Sequence, residues 1–113
     1  MLTRVAILGQ GRRREVLQVP EWGGSVTVIQ MSLPERLAWE RWNSGLGKDA
    51  TGEWIVGLLA HTLAGEDGAL LFTPDDVKVL AEKGADVLVR LHQVARRLNG
   101  LGDEEVAVKK GES

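Results

Sequence analysis

The chain has 113 residues, of which 43% are hydrophobic and 27% charged, and its formal net charge is −2 at pH 7. This length suits one domain, and the composition is that of a folded globular protein. Because cysteine is absent, disulfides, thiolate nucleophiles and zinc–sulfur sites are excluded. No apolar run approaches the roughly 20 residues that span a bilayer, and no signal-peptide pattern is present. We therefore expect a soluble, intracellular protein.

The sequence predicts three segments of different character. Residues 1–14 include the basic run at residues 12–14 and show no clear periodicity, so we expect a flexible basic arm. Residues 15–101 carry the periodic apolar patterns and form the predicted single globular domain. Residues 102–113 are mostly charged or small, which indicates a mobile charged tail.

Residues 15–30 predict a β-hairpin at the start of this domain. Two runs rich in β-branched residues flank the sequence Pro-Glu-Trp-Gly-Gly at residues 20–24. The glycine pair supplies the positive φ angles that a tight turn needs. Pro20 cannot donate to a β-ladder and is expected at the end of a strand.

The rest of the domain predicts helices. Ser32 and Glu35 form a capping box, and Thr73 followed by Pro74 marks another helix start. Gly84 divides the last apolar stripe into two helices. A further helix is predicted to begin near Thr51, with a buried stripe of Ile55, Leu58, Leu59, Thr62 and Leu63. The predicted fold is therefore mainly α: a small bundle of four or five helices with an N-terminal β-hairpin.

The ionisable residues form no recognisable catalytic or metal-binding motif. His61 has glycine at both positions four residues away, which indicates a partly buried structural histidine, and His92 is expected on a solvated helix face. The acidic residues read as turn and helix-cap residues rather than as a calcium loop; they are Glu66, Asp67, Asp75 and Asp76. We accordingly predict no catalytic, cofactor-binding or metal-binding residue, no cofactor, and no enzymatic activity.

The four tryptophans are the candidate partner-binding residues, in a chain with one phenylalanine and no tyrosine. Trp22 lies in the predicted turn, whereas Trp39, Trp42 and Trp54 lie on predicted helices. Each ring alone is more typical of a core position. An exposed tryptophan is nevertheless a common anchor for a protein partner, so some of these four are predicted to bind one.

Four segments together resemble the tail assembly chaperones of siphophages. Residues 19–28 resemble the opening pattern VPEWGG-x-V-x-V, and residues 31–36 match the helix start s-x-x-E-R. Residues 66–77 are similar to the segment DedG-x-x-lFt-x-x-Dv, and residues 90–101 to the ending R-l…A-x-x-LNgl. The ordered set covers about residues 16–101. The chain departs from the pattern at Gly84, where a serine cap is common, and in its tryptophan-rich middle.

The resemblance implies a non-enzymatic assembly factor in the cytoplasm of the host cell. Such a protein binds the tape measure protein, keeps it soluble, helps recruit tail tube subunits, and is absent from the mature virion. In many such phages a ribosomal frameshift makes a longer product that contacts the tail tube protein. Residues 108–111, Val-Lys-Lys-Gly, are compatible with an A-rich slippery codon run. Neither a nucleic acid nor a membrane is expected as a partner.

A small DNA-binding regulator is the alternative interpretation. It would use the basic arm and the helical pair between residues 73 and 99. The acidic balance of residues 75–85 and the low pI of about 5.7 count against it. The sequence leaves the oligomeric state open.

Overall fold

The computed structural model describes residues 1–48 and 50–102. Its helices are α1 (Arg4–Leu8), α2 (Leu33–Ser44), α3 (Glu53–Ala60), α4 (Val77–Leu80) and α5 (Ala85–Leu98). Its strands are β1 (Arg14–Val19), β2 (Gly24–Ile29) and β3 (Leu63–Ala64). The fold is therefore a mixture of five helices and one antiparallel sheet, with strand order β1-β2-β3. No described helix has the length and apolar character that crossing a membrane requires.

The predicted hairpin is confirmed. Strands β1 and β2 pair from Arg14 opposite Ile29 to Val19 opposite Gly24. A short 3-10 helix, Pro20–Trp22, connects them and ends at Gly23, whose φ of 77° lies in the left-handed region. This region carries no penalty for glycine because glycine lacks a Cβ atom. The turn therefore holds Trp22 at the tip of the hairpin.

The predicted helices and N-terminal hairpin are present, but the fold is a mixture of helices and sheet rather than a mainly α bundle, because the prediction omitted the third strand. Leu63 was predicted to continue the second helix, yet it pairs with Val28 in β3. The α3 helix ends at Ala60, where Thr62 Oγ1 donates a 2.8 Å hydrogen bond to the Leu58 carbonyl. The backbone N–H of Ile29 then donates to the Thr62 carbonyl at 2.9 Å. Leu63 is fully buried. A buried apolar residue suits a helix and a strand equally well, so its hydrophobicity could not show which element contains it.

The predicted helix boundaries at Ser32, Thr73 and Gly84 are confirmed. Ser32 accepts from the Glu35 N–H, and the Glu35 carboxylate accepts from the Ser32 N–H at 2.8 Å. Thr73 and Asp76 form a second reciprocal pair, followed by the 3-10 turn Pro74–Asp76 and the four-residue helix α4. Gly84 is the N-cap of α5. The start predicted near Thr51 falls at Gly52, which has a φ of 82°.

The core lies between one face of the sheet and the helices α3, α4 and α5. Strand β2 contributes Val28, which is fully buried, and α5 contributes Leu91, which is also fully buried. The remaining members are mostly aliphatic, as the composition predicts. They include Val19, Met31, Trp39, Val56, Leu58, Leu59, Leu63, Val77, Leu80, Val87, Leu88, Ala95 and Leu98.

The predicted arm and tail lie at the edges of this fold. Helix α1 has no buried residue, while Arg13 joins the sheet region through a backbone hydrogen bond from Gln30 of 2.9 Å. Arg12 forms an ion pair with Glu35 of the capping box. The mobility predicted for residues 1–14 stays a prediction. Residues 103–113 of the predicted tail, with the proposed slippery site, lie outside the described residues.

Candidate partner-binding surface

The structure separates the four tryptophans into two accessible and two packed side chains. Trp22 is 37% exposed and Trp54 is 39% exposed, whereas Trp39 is only 9% exposed. Trp42 is partly buried and packs against the core. Trp22 and Trp54 are therefore the two that a partner can reach without repacking of the core.

Trp22 lines an open groove that we call the Trp22 groove. The groove has a volume of about 380 Å³, within the range of small ligand clefts. Its lining is largely apolar and carries one acidic and one basic side chain: Trp22, Phe72, Asp76, Val79, Leu80 and Lys83. Val79, in the α4 helix, is 65% exposed. The hairpin tip and the α4 helix thus form one apolar surface.

Trp54 covers a buried histidine on the neighbouring helix. Its ring meets the ring of His92 edge to face, with 5.1 Å between the ring centroids. The Trp54 side chain nevertheless remains partly exposed to solvent. A ring that is fixed by packing and still accessible is a suitable anchor, because little side-chain entropy is lost when a partner binds.

Trp39 and Trp42 have structural contacts. The Arg36 guanidinium lies over the Trp39 ring, 5.8 Å from its centroid. Trp42 lies against Gly57 of α3, where a Cβ atom would be only 1.9 Å from Trp42 Cζ3. The Trp42 contact attaches α2 to α3, and Trp39 is a member of the core. These contacts explain the presence of both residues without a partner.

The prediction that His92 is solvated is wrong. His92 is 3% exposed, because it follows Leu88 by four residues and shares the buried face of α5. Burial, with the positive charge of Arg96 adding to it, lowers the pKa of His92 to about 4, although the backbone of Ile55 opposes this effect. Neither ring nitrogen makes a hydrogen bond of ordinary geometry within the described residues. At neutral pH the ring is therefore uncharged.

Two ion pairs fasten the hairpin to α5. Arg90 donates two hydrogen bonds of 3.0 Å to the two carboxylate oxygens of Glu21. Arg97, seven residues later and so on the same side of the helix, donates to Glu15 at 2.7 Å. The bond from Arg90 lowers the pKa of Glu21. These arginines serve internal contacts, an arrangement that does not favour the DNA-binding alternative.

The end of α5 is hydrogen-bonded to the end of the hairpin. The Asn99 side chain accepts a 2.7 Å hydrogen bond from the Met31 N–H and donates to the Ile29 carbonyl at 3.3 Å. Asn99 is 8% exposed. Arg96 donates to the carbonyls of Leu101 and Gly102, both at 2.9 Å. Asn99 therefore joins the end of α5 to the end of β2, and Arg96 holds the chain that follows the helix.

The remaining ionisable residues agree with their predicted structural roles. His61 is partly buried, and its Nδ1 lies 2.7 Å from the Gly57 carbonyl. Asp67 accepts from the Ala69 N–H within the turn, and Asp76 accepts from the Thr73 N–H at the cap. Residues 1–48 and 50–102 contain no group of three or more histidine or acidic side chains that could hold a metal ion.

The fold is similar to that of a solved phage protein. The match has a TM-score of 0.62 and 26% sequence identity, and it covers 83% of this chain and 88% of the other. It is the tail assembly chaperone of bacteriophage HK97. No protein-family model and no curated protein matches the sequence. The likeness to the HK97 chaperone supports the resemblance found in the sequence, while the individual motifs stay predictions.

Two features of the surface were missed in the sequence. The Trp22 groove joins residues about 50 positions apart in the sequence, and only pairing of the hairpin with the helices brings them together. The exposed apolar residues before β1 were included in a basic arm because the arginine run dominated that segment. The apolar spacing of Val5 and Leu8 is the signal that could have identified a helix there.

Proposed function

We propose that this protein is a bacteriophage tail assembly chaperone that binds the tape measure protein and keeps it soluble during tail assembly. The similarity in fold to the HK97 chaperone over most of both chains carries this proposal. In the proposal the protein acts in the host cytoplasm, is absent from the finished virion, and helps recruit tail tube subunits. A frameshifted longer product would make the contact with the tail tube protein.

The client surface that we propose consists of the two accessible tryptophans. A tape measure protein presents long amphipathic helices, and such helices bind other proteins by inserting large apolar side chains into grooves. Trp22 lies in an apolar groove, and Trp54 is a partly exposed ring that packs against His92. Trp39 and Trp42 are kept as structural residues, because contact with a client would require them to leave their packing.

Co-expression with the tape measure gene of the phage or prophage that encodes this chain tests the proposal. We expect the tape measure product to be soluble and to purify with the wild-type chain. The double variant Trp22→Ala/Trp54→Ala should leave it insoluble, while Val16→Ala, at a 60% exposed position on β1, should not. Circular dichroism of each purified variant would confirm that the fold is retained. A tape measure product that is soluble alone, or that ignores the wild-type chain, would contradict the proposed function.

A further inference from the structure

A polar hollow in the protein surface lies on the sheet, beside the end of β3. It has a volume of about 460 Å³, within the range of small ligand clefts. We call it the Arg14 hollow, and it shares no lining residue with the Trp22 groove. Its polar side chains come from β1, β2 and the turn after β3, and they are Arg14, Ser25, Thr27 and Glu66. A guanidinium, two hydroxyl groups and a carboxylate thus line one hollow.

Thr27 brings a buried hydroxyl group to the Arg14 hollow. The residue is only 7% exposed, and its Oγ1 makes no hydrogen bond of ordinary geometry to residues 1–48 or 50–102. Thr62, which is also buried, instead donates to the Leu58 carbonyl. A hydroxyl group that is buried without a partner lowers stability, and valine suits a strand position of this kind. A ligand that hydrogen-bonds to the Thr27 hydroxyl would explain why threonine is present.

Arg14 and Glu66 bring opposite charges to the hollow. Arg12, in the same basic run as Arg14, forms an ion pair with Glu35. Arg14 and Glu66 have no such partner in the part of the chain that the structure describes. The Arg14 guanidinium extends towards the turn after β3, since its Nη2 lies 3.8 Å from the position of a Cβ atom at Gly68. The hollow therefore offers complementary charges to a ligand that carries both a carboxylate and an ammonium group.

Backbone groups of β2 are uncovered beside the hollow. Strand β3 pairs with β2 at Thr27 and Val28 and ends there. Alternate residues of an antiparallel strand direct their N–H and C=O groups to the same neighbour. Ser25 therefore faces the same side as Ile29, whose N–H donates to the Thr62 carbonyl. Among the described residues, no backbone hydrogen bond to Ser25 is formed on that side. An extended peptide can supply this bond.

We propose that the Arg14 hollow binds an extended segment of a partner protein that has an acidic and a basic side chain two residues apart. Such side chains project from the same face of the segment, about 6.6 Å apart. The carboxylate faces Arg14, the ammonium group faces Glu66, and the main chain of the segment bonds to Ser25. The Thr27 hydroxyl donates to the same segment. This contact does not depend on the tape measure proposal, because it uses neither of the two accessible tryptophans.

An NMR titration of the isotope-labelled full chain with the blocked peptide Thr-Glu-Val-Lys-Thr tests this site. We expect the amide signals of Ser25, Thr27 and Gly65 to shift and to saturate. The neutral peptide Thr-Gln-Val-Gln-Thr should bind at least about tenfold more weakly, because it lacks both charges. The variant Arg14→Glu should reverse the preference and bind Thr-Lys-Val-Lys-Thr more tightly than the original peptide.

The variant Thr27→Val separates binding from folding. We expect it to bind the peptide about three- to tenfold more weakly, because one hydrogen bond is lost. Its free energy of unfolding should be equal to that of the wild type or higher, because the substitution removes a buried hydroxyl group that has no partner in the free protein. Arg41→Gln is the matched control, since Arg41 is exposed and does not line the hollow. It should bind the peptide like the wild type.

Four outcomes would overturn the proposed site. The first is a titration without saturable shifts in the hollow, and the second is an Arg14→Glu variant whose preference is unchanged. The third is an equal response to sodium acetate, which would identify a simple anion site. The fourth is a change of the same signals with protein concentration alone, which would assign the hollow to a second copy.

Discussion

The Trp42 ring lies directly on Gly57, and no side chain fits between them. A Cβ atom at residue 57 would be 1.9 Å from Cζ3 and 2.3 Å from Cη2 of Trp42. The contact joins α2 to α3, on which Trp54 is positioned. Glycine in the middle of a helix normally costs about 1 kcal/mol relative to alanine. Here the close approach of the indole ring requires it.

We predict that Gly57→Ala lowers the free energy of unfolding by about 1–3 kcal/mol. The added methyl group forces the Trp42 ring out of its position, which is the usual cost of overpacking. Urea denaturation would measure the change. Gly47→Ala is the matched control, because a Cβ atom at residue 47 meets nothing within 4 Å. If Gly57→Ala proved as stable as the wild type, the packing of α2 on α3 would be different from that described.

We predict that the protein loses stability as the pH falls from about 6.5 to 4. The pKa of His92 is 6.5 when unfolded and about 4 when folded, so within this window the unfolded chain binds more protons. Stability from neutral His92 is complete above pH 6.5 and is lost on acidification, by up to about 3 kcal/mol. Urea denaturation at several pH values would measure it.

The variant His92→Leu should remove most of this pH dependence, while His61→Leu should keep it. The carboxylates of Glu21 and Glu35 contribute at lower pH. The hydrogen bond from Arg90 lowers the pKa of Glu21. For Glu35, burial acts to raise the pKa, but bonds from Ser32 and the charge of Arg12 outweigh it. An unchanged pH profile in His92→Leu would contradict the assignment to His92.

We predict that Trp54→Ala raises the pKa of His92 towards 6.5. The Trp54 ring shields His92 from water, and burial is the main reason for the lowered pKa. An NMR titration of the His92 ring protons would follow the change. Trp22→Ala removes a ring of similar exposure that does not contact His92, and it should leave the titration where it is. Equal effects of the two variants would show that Trp54 does not provide the shielding.

We predict that Asn99→Ala lowers the free energy of unfolding by about 2–3 kcal/mol. The substitution leaves the Met31 N–H and the Ile29 carbonyl without the partner that Asn99 provides, and buried unsatisfied groups carry a desolvation penalty. Thermal unfolding would measure it. Gln93→Ala, at an exposed position of α5, is the control and should change the stability by less than about 0.5 kcal/mol. A neutral Asn99→Ala would contradict the described bridge.

Much of the fold could be predicted because the interactions that define these elements join residues that are close in the sequence. The Ser32 and Thr73 caps, the Gly84 junction and the turn at Gly23 each depend on residues within a few positions. Strand β3 was missed because it has two residues, and because Leu63 continues the apolar spacing of α3. His92 was predicted to be solvated because residues close to it in sequence are charged, although its position four residues after Leu88 places it on the buried face of α5.

The sequence could predict which type of residue forms the candidate surface, namely tryptophan, but not which of the tryptophans lie on it. Tryptophan content drew attention to four positions, but the sequence could not separate Trp22 and Trp54 from Trp39 and Trp42. The difference comes from packing between elements: Trp42 contacts Gly57 of α3, Trp39 belongs to the core, and the Trp22 groove requires both the hairpin and α4. None of these contacts involves residues adjacent in sequence.

The Asn99 bridge also fixes an order of events during synthesis. The hairpin is translated first, yet the groups at the end of β2 receive their side-chain partner only when residue 99 has left the ribosome. Until then Met31 and Ile29 lack this partner, and a nascent chain stopped before Asn99 would present an unfinished domain. A change of reading frame downstream of Gly102 would not alter the residues that form this bridge. Two products with different C-terminal segments could therefore share a domain that is completed by the same Asn99 contacts.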